Sequence, residues 1–245
     1  MVIDDGVVIA TAGWNGGNKT SVLGKLQSGR SVVVNEGGEL RFASHDVLTN
    51  GENASLVPIT VNGGRISNAG AFFNNLSNVT LKNGASIYAE DGHATYKAFK
   101  LSDNVYVTRN DDDSAANPVL ISGNPNNPNA AIAFNVNTTR LNVADVTRNA
   151  GAATDDLPDL IISTPITDAY NMNKYEAASV EKLGEGTATF SGANTYTGLT
   201  YVSAGTLNIT GSSFNSRLIV RNGGTAVIDA GDGTVNMNAD GYKIL

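Results

Sequence analysis

Residues 32–42 read VVVNEGGELRF, residues 59–66 read ITVNGGRI, and residues 79–89 read VTLKNGASIYA. Each stretch has the same grammar. An arm of alternating apolar residues (Val32-x-Val34, Ile59-x-Val61, Val79-x-Leu81) runs into Asn and Gly, and a second alternating arm follows (Leu40-x-Phe42, Ile66, Ile87-x-Ala89). Alternation at period 2 is the signature of a strand with one buried face. The Asn and Gly between the arms supply the positive φ that β-branched residues resist. The unit returns as TYVSAGTLNI at 200–209 and LIVRNGGTAV at 218–227, with Leu207, Ile209 and Val227 as the apolar positions of the second arms. First arms begin at 32, 59, 79, 200 and 218, so the spacings are 27, 20, 121 and 18, and 121 is close to six periods of the shorter unit. A period of about 20 residues predicts a solenoid, and a chain of this length would hold about 10 to 12 rungs. One rung cannot bury its own apolar row. Stacking rungs at ~4.8 Å buries a continuous column and pairs the backbone with the rungs above and below.

The composition agrees with many short strands joined by tight turns. Of 245 residues, 27 are Gly and 30 are Asn, aromatics are 7% and charged residues 16%. The core must therefore be aliphatic. The competing architecture takes Asn-Gly as a hairpin turn, which makes the fold an antiparallel β-sandwich or barrel. Helix should be scarce. Tyr175 to Leu183 is the best helical window, yet its flanks read as strand. The pattern breaks in the middle, where Arg109 to Asp113, Asn124 to Pro128 and Thr154 to Asp159 are rich in turn formers. Apolar segments persist between them at 119–121, 130–136, 141–146 and 160–162, so we expect continued rungs with loops pushed to one side. The whole of 1–245 is read as one solenoid domain: repeat rungs over 1–108, loop-rich rungs over 109–175, and a distinct repeat over 176–245.

From Lys182 the chain reads KLGEGTATFSGANTYTGLTYVSAGTLNI. This resembles the autotransporter-associated β-strand repeat of bacterial passenger domains. The matching residues are Lys182, Gly184, Gly186-Thr187, Phe190, Ser191-Gly192, Asn194-Thr195-Tyr196-Thr197-Gly198 and Ala204-Gly205-Thr206-Leu207. The stretch from Leu26 to Asp91 is similar to the looser rungs that precede such repeats. The resemblance implies a right-handed parallel β-helix, secreted or displayed on the bacterial outer surface, with adhesion or host contact a common role. It carries no catalytic residues and no cofactor. Gly205 is expected in a turn between stacked rungs where a branched side chain has no room.

The charge balance excludes several functions. Lys plus Arg is 16 and Asp plus Glu is 23, a net charge of −7, so nucleic acid and anionic membranes are poor partners. With no Cys and only 2 His, thiolate chemistry, disulfides and most imidazole metal sites are gone. No apolar run approaches the ~18 residues of a membrane helix. The start, Met1-Val2-Ile3-Asp4-Asp5, lacks the basic and apolar regions of a signal peptide. We expect the export signal to lie outside this chain, and the chain to be a fragment of a longer secreted protein. Phosphate-loop, dinucleotide, serine-hydrolase and zinc-protease signatures are absent.

What remains as candidate chemistry is thin. His45 and His93 each lie near an Asp, in turns, and read as solvated. Acids cluster at Asp111-Asp112-Asp113, Asp155-Asp156 and Asp159; two carboxylates sharing a site can divide into acid and base, which makes Asp112, Asp156 and Asp159 the catalytic candidates. Consecutive Asp residues on a strand point to opposite faces, so a dyad would have to unite different loops. Asn236, Asn238 and Asp240 match the first half of a calcium loop, or a stack of Asn at a solenoid corner. Trp14, among glycines, suits either a cap on the first rung or a platform for a sugar ring. Two functions follow: display and adhesion to extracellular or host glycans and glycoproteins, or a secreted carboxylate hydrolase of the aspartic-protease or glycosidase kind acting on mucin-like glycoprotein or polysaccharide.

Overall fold

The computed structural model describes residues 1–13, 23, 30–48, 57–149, 151–152, 157–171, 174–211, 213–229 and 236–237. Over these residues the chain is a right-handed parallel β-helix. The first sheet stacks nine strands: Val2–Ile3, Val32–Asn35, Ile59–Asn62, Asn74–Lys82, Phe99–Val107, Thr139–Val143, Val180–Leu183, Leu199–Val202 and Arg217–Val220. The second stacks nine more: Gly6–Ala10, Gly38–Phe42, Arg65–Asn68, Ser86–Ala89, Val119–Gly123, Pro158–Ile162, Thr187–Phe190, Gly205–Ile209 and Gly224–Ile228. One strand from each sheet makes a rung. The antiparallel alternative fails because every pairing in both sheets is parallel; the hairpin of Ala169–Asn171 with Lys174–Glu176 is the one antiparallel strand pair among the described residues. The window at 175–183 holds strands, not helix.

The alternating arms become columns. In the second sheet Leu40, Ile66, Ile87, Ile121, Ile162, Phe190, Ile209 and Ile228 are successive register partners, and all but the last are fully buried. In the first sheet Ile3, Val34, Val61, Leu81, Val107 and Val143 form a matching column. Each buried aliphatic side chain contributes about 1.5–3 kcal/mol of transfer free energy, and stacking supplies one per column per rung. One assignment slips by a residue. Ala226 and Ile228 are the partners of Leu207 and Ile209, whereas Val227 pairs with Asn208 and is 44% exposed. In that arm three apolar residues run together, so alternation alone could not choose.

Nine rungs occupy the described residues. The interval read as six periods contains four steps. Val79 pairs with Val105, Val105 with Leu141, Leu141 with Lys182 and Lys182 with Val202, so the middle rungs are 36 and 41 residues long rather than 20. The excess goes into loops and into a third side. Asn74–Lys82 and Phe99–Val107 are nine-residue strands that turn a corner at Asn78 (φ 52°) and Asp103 (φ 59°). Their first halves pair with each other; Phe99–Leu101 then pairs with Ile132–Phe134, which pairs with Ile166–Thr167.

Asn serves the corners in two ways. It tolerates the left-handed conformation, and its amide continues the ladder from rung to rung. Asn104 Nδ2 donates to Asn78 Oδ1 at 3.0 Å, and Asn142 Nδ2 to Asn104 Oδ1 at 3.3 Å. Gly205 stands at such a corner with φ 62°. A Cβ there would lie 2.5 Å from the Gly186 carbonyl oxygen, 2.7 Å from that of Glu185, and in collision with that of Gly184.

Candidate functional site

Along the third side the turns bring seven rings into one stripe. Buried Asn side chains set their positions. Asn74 accepts from Val47 N (2.8 Å) and donates to Ser44 O (3.0 Å), fixing the chain on both sides of His45. Asn68 accepts from Glu90 N (2.9 Å) and donates to Asp91 O (2.7 Å), fixing the approach to His93. The His45 ring then meets Phe72 edge-on at 5.2 Å and His93 at 5.7 Å; His93 meets Tyr96 at 4.9 Å. Tyr96 contacts Phe73 at 5.3 Å and Tyr170 at 5.3 Å, and Tyr170 contacts Tyr175 at 5.1 Å. Of these contacts, His45–Phe72 and Phe73–Tyr96 span one rung step of ~4.8 Å, His93–Tyr96 and Tyr170–Tyr175 lie within one turn or hairpin, and His45–His93 and Tyr96–Tyr170 bridge two steps. Tyr96 (38%) and Tyr175 (55%) are the most open.

His45 and His93 lie in turns, partly buried among these rings. Phe73 N donates to His45 Nδ1 at 3.1 Å, and Thr95 N donates to His93 Nδ1 at 3.2 Å. For His45 an acceptor Nδ1 goes with a neutral ring whose proton is on Nε2. Burial and the neighbouring His93 hold the His45 pKa below the ordinary histidine value.

At the Tyr175 end the stripe borders a cavity of about 410 Å³, lined by Lys97, Pro128, Pro165, Thr167, Asp168, Tyr175, Ala193 and Thr195. Asp168 is occupied within the fold. It accepts from Ala178 N (2.9 Å), Thr197 N (2.9 Å) and Thr197 Oγ1 (2.8 Å), which ties the Tyr170–Tyr175 hairpin to the next rung. Lys97 Nζ donates to Ala94 O (2.9 Å) and Asn129 Oδ1 (3.3 Å), both uncharged, and burial lowers its pKa.

The acidic candidates sit elsewhere. Asp159 is 1% exposed on the strand Pro158–Ile162. Its Oδ1 accepts from Val146 N (2.6 Å), Thr147 N (3.0 Å) and Thr147 Oγ1 (3.1 Å), and its Oδ2 from Thr187 N (2.7 Å). Burial nonetheless holds its carboxyl above the usual carboxylate range, against the downward pull of those bonds. Asp112 is exposed and accepts from Ser114 N (3.0 Å) and Ser114 Oγ (2.6 Å), which lowers its pKa. Its neighbours are paired separately, Asp111 with Lys82 at 2.7 Å and Asp113 with Arg109. Asn236 lies on the short strand Asn236–Met237, parallel to Ser213–Phe214. Trp14, Asp156, Asn238 and Asp240 lie outside the described residues.

Sequence reasoning missed the aromatic stripe. The signal was present: His45, Phe72 and Tyr96 are 27 and 24 positions apart, the length of the local rungs.

Residues 180–209 match the family model of the passenger-associated-transport-repeat. No curated protein and no solved structure matches the chain. The matched segment covers Val180–Leu183, Thr187–Phe190, Leu199–Val202 and Gly205–Ile209, which are two consecutive rungs. Within it the family's Lys points inward. Lys182 occupies the column between Leu141 and Val202, 1% exposed, and donates to the carbonyl oxygens of Gly184 (2.8 Å), Leu183 (3.0 Å) and Ala204 (3.1 Å). The chain thus carries an autotransporter passenger repeat at residues 180–209, folded as two turns of its β-helix.

Proposed function

We propose that this chain is a segment of an autotransporter passenger, exposed outside the bacterial cell, and that it binds extracellular glycans along its aromatic stripe. The repeat at 180–209 supports the passenger assignment, and a passenger is secreted or surface-exposed. The observation that carries the binding role is the run of rings from His45 to Tyr175 ending beside the cavity. Sugars offer apolar C–H faces to aromatic rings and hydroxyls to polar neighbours, and both kinds of surface are present here. Asp159, with both oxygens engaged by backbone donors, acts as a fastener between rungs, which favours binding over carboxylate hydrolysis.

A glycan array probed with the purified chain tests this. Wild type should retain a discrete set of oligosaccharides. Tyr96→Ala and Tyr175→Ala should each lose them while keeping the β-sheet circular dichroism spectrum. An empty array, or retention unaffected by both substitutions, overturns the assignment.

A further inference from the structure

The cavity at the end of the stripe is lined by a lysine, Lys97, that makes no ion pair with the one carboxylate in the same lining, Asp168. Lys97 Nζ is half-buried and its two acceptors are neutral oxygens. It makes no ion pair within the described residues, where seven other Lys or Arg contacts to carboxylates occur. The carboxylate lining the same cavity is already engaged, because Asp168 receives three internal donors. Asp91, on the turn that precedes Lys97, is engaged too, by Gly92 N and Asn127 Nδ2, both at 2.6 Å. An ammonium drawn partly out of water without a counter-charge is unfavourable until an anion reaches it. Tyr175, 55% exposed, stands on the cavity wall as a flat apolar face.

The geometry points to an acidic sugar as the ligand of this cavity: a pyranose stacked on Tyr175 with its carboxylate on Lys97 Nζ. This rests on the proposed glycan-binding role and names its substrate class. Uronic acids and sialic acids share the chemistry, a carboxylate attached to a sugar ring. A neutral sugar can use the ring but leaves Lys97 without a counter-charge. A charge-assisted hydrogen bond in a partly desolvated site corresponds to about tenfold in affinity.

Isothermal titration with two matched pairs tests it at low salt: trigalacturonate against its methyl ester, and 3′-sialyllactose against lactose. The charged member of at least one pair should bind about tenfold more tightly, and which pair responds separates uronic from sialic acid. Lys97→Gln should abolish that preference, Lys97→Arg should retain it, and Tyr175→Ala should weaken charged and neutral members alike. Equal binding of both members in both pairs, or a preference that survives Lys97→Gln, overturns the acidic-sugar assignment and leaves stacking intact. Failure of all four sugars to bind overturns both.

Discussion

The rings of His45 and His93, 48 positions apart in the chain, lie 5.7 Å apart at 72° to one another. The two rings belong to turns two rungs apart, after Gly38–Phe42 and Ser86–Ala89, and Phe72 of the intervening rung packs edge-on against His45. This packing disfavours a charge on His45, because the ring is partly buried and a protonated Nδ1 could no longer accept from Phe73 N. The folded His45 pKa is below the ordinary value of 6.5. Well above 6.5 the ring is neutral in both states and contributes no pH dependence. As pH falls below 6.5 the unfolded chain takes up a proton that the folded chain resists, so stability declines down to the folded pKa. Thermal melts of wild type and His45→Gln between pH 7.5 and 5 check this: the wild type should lose more melting temperature on acidification. Parallel curves would show that His45 titrates normally.

Gly205 and Gly6 separate two reasons for a glycine. Both have positive φ, 62° and 78°, but a Cβ at Gly6 meets nothing within 4 Å whereas one at Gly205 strikes three carbonyl oxygens. Gly6→Ala should therefore carry only the left-handed penalty, about 1 kcal/mol. Gly205→Ala should cost more than about 2 kcal/mol, and Gly205→Val more again, because two rungs must separate. Denaturant unfolding of the three variants gives the order. Equal costs at the two positions would mean that the rungs do not close over Gly205.

The sequence showed the columns plainly where arms alternate cleanly. Leu40, Ile66 and Ile87 are both the apolar positions of the written pattern and register partners in the sheet. Legibility ended where periodicity did. Loop insertions stretch the Leu141-to-Lys182 rung to 41 residues, and no period can be counted across them. The stripe was hidden for a related reason: whether His45 meets His93 depends on rung lengths, not on either residue's neighbours in the chain. Lys182 is a partial case. Its inward direction follows from alternation with buried Val180, but a charged residue in an apolar column runs against composition-based reading.

Lys182 should leave a mark on the alkaline side. Burial lowers its pKa from 10.5 to about 8. Between those values the unfolded chain binds the proton and the folded chain releases it, so stability should rise with pH across that window, by as much as about 3 kcal/mol. Unfolding of wild type and Lys182→Met by urea at pH 7.5 and 10 isolates the effect. The difference between the two proteins should shift in favour of wild type at the higher pH. A difference independent of pH would show that the three carbonyl acceptors hold the ammonium charged throughout.

Asp159 and Asp112 should respond differently to the same chemical change. Asn can imitate only half of a carboxylate. At Asp159 one oxygen would still serve Val146 N and Thr147, but the amide nitrogen would face Thr187 N, donor against donor, in a buried site. That leaves an unsatisfied backbone N–H and should cost about 2–3 kcal/mol. Asp112 is fully exposed and its bonds to Ser114 lie within one loop, so Asp112→Asn should leave the melting temperature unchanged. Neither substitution should remove a hydrolytic activity, because a dyad needs two carboxylates in one site and both Asp159 oxygens are held by backbone N–H donors of Val146, Thr147 and Thr187. Turnover of a mucin-type glycoprotein between pH 4 and 7 provides the control. Hydrolysis by wild type that Asp112→Asn abolishes without changing the melting temperature would make that exposed loop a catalytic one and replace the binding role with a hydrolase.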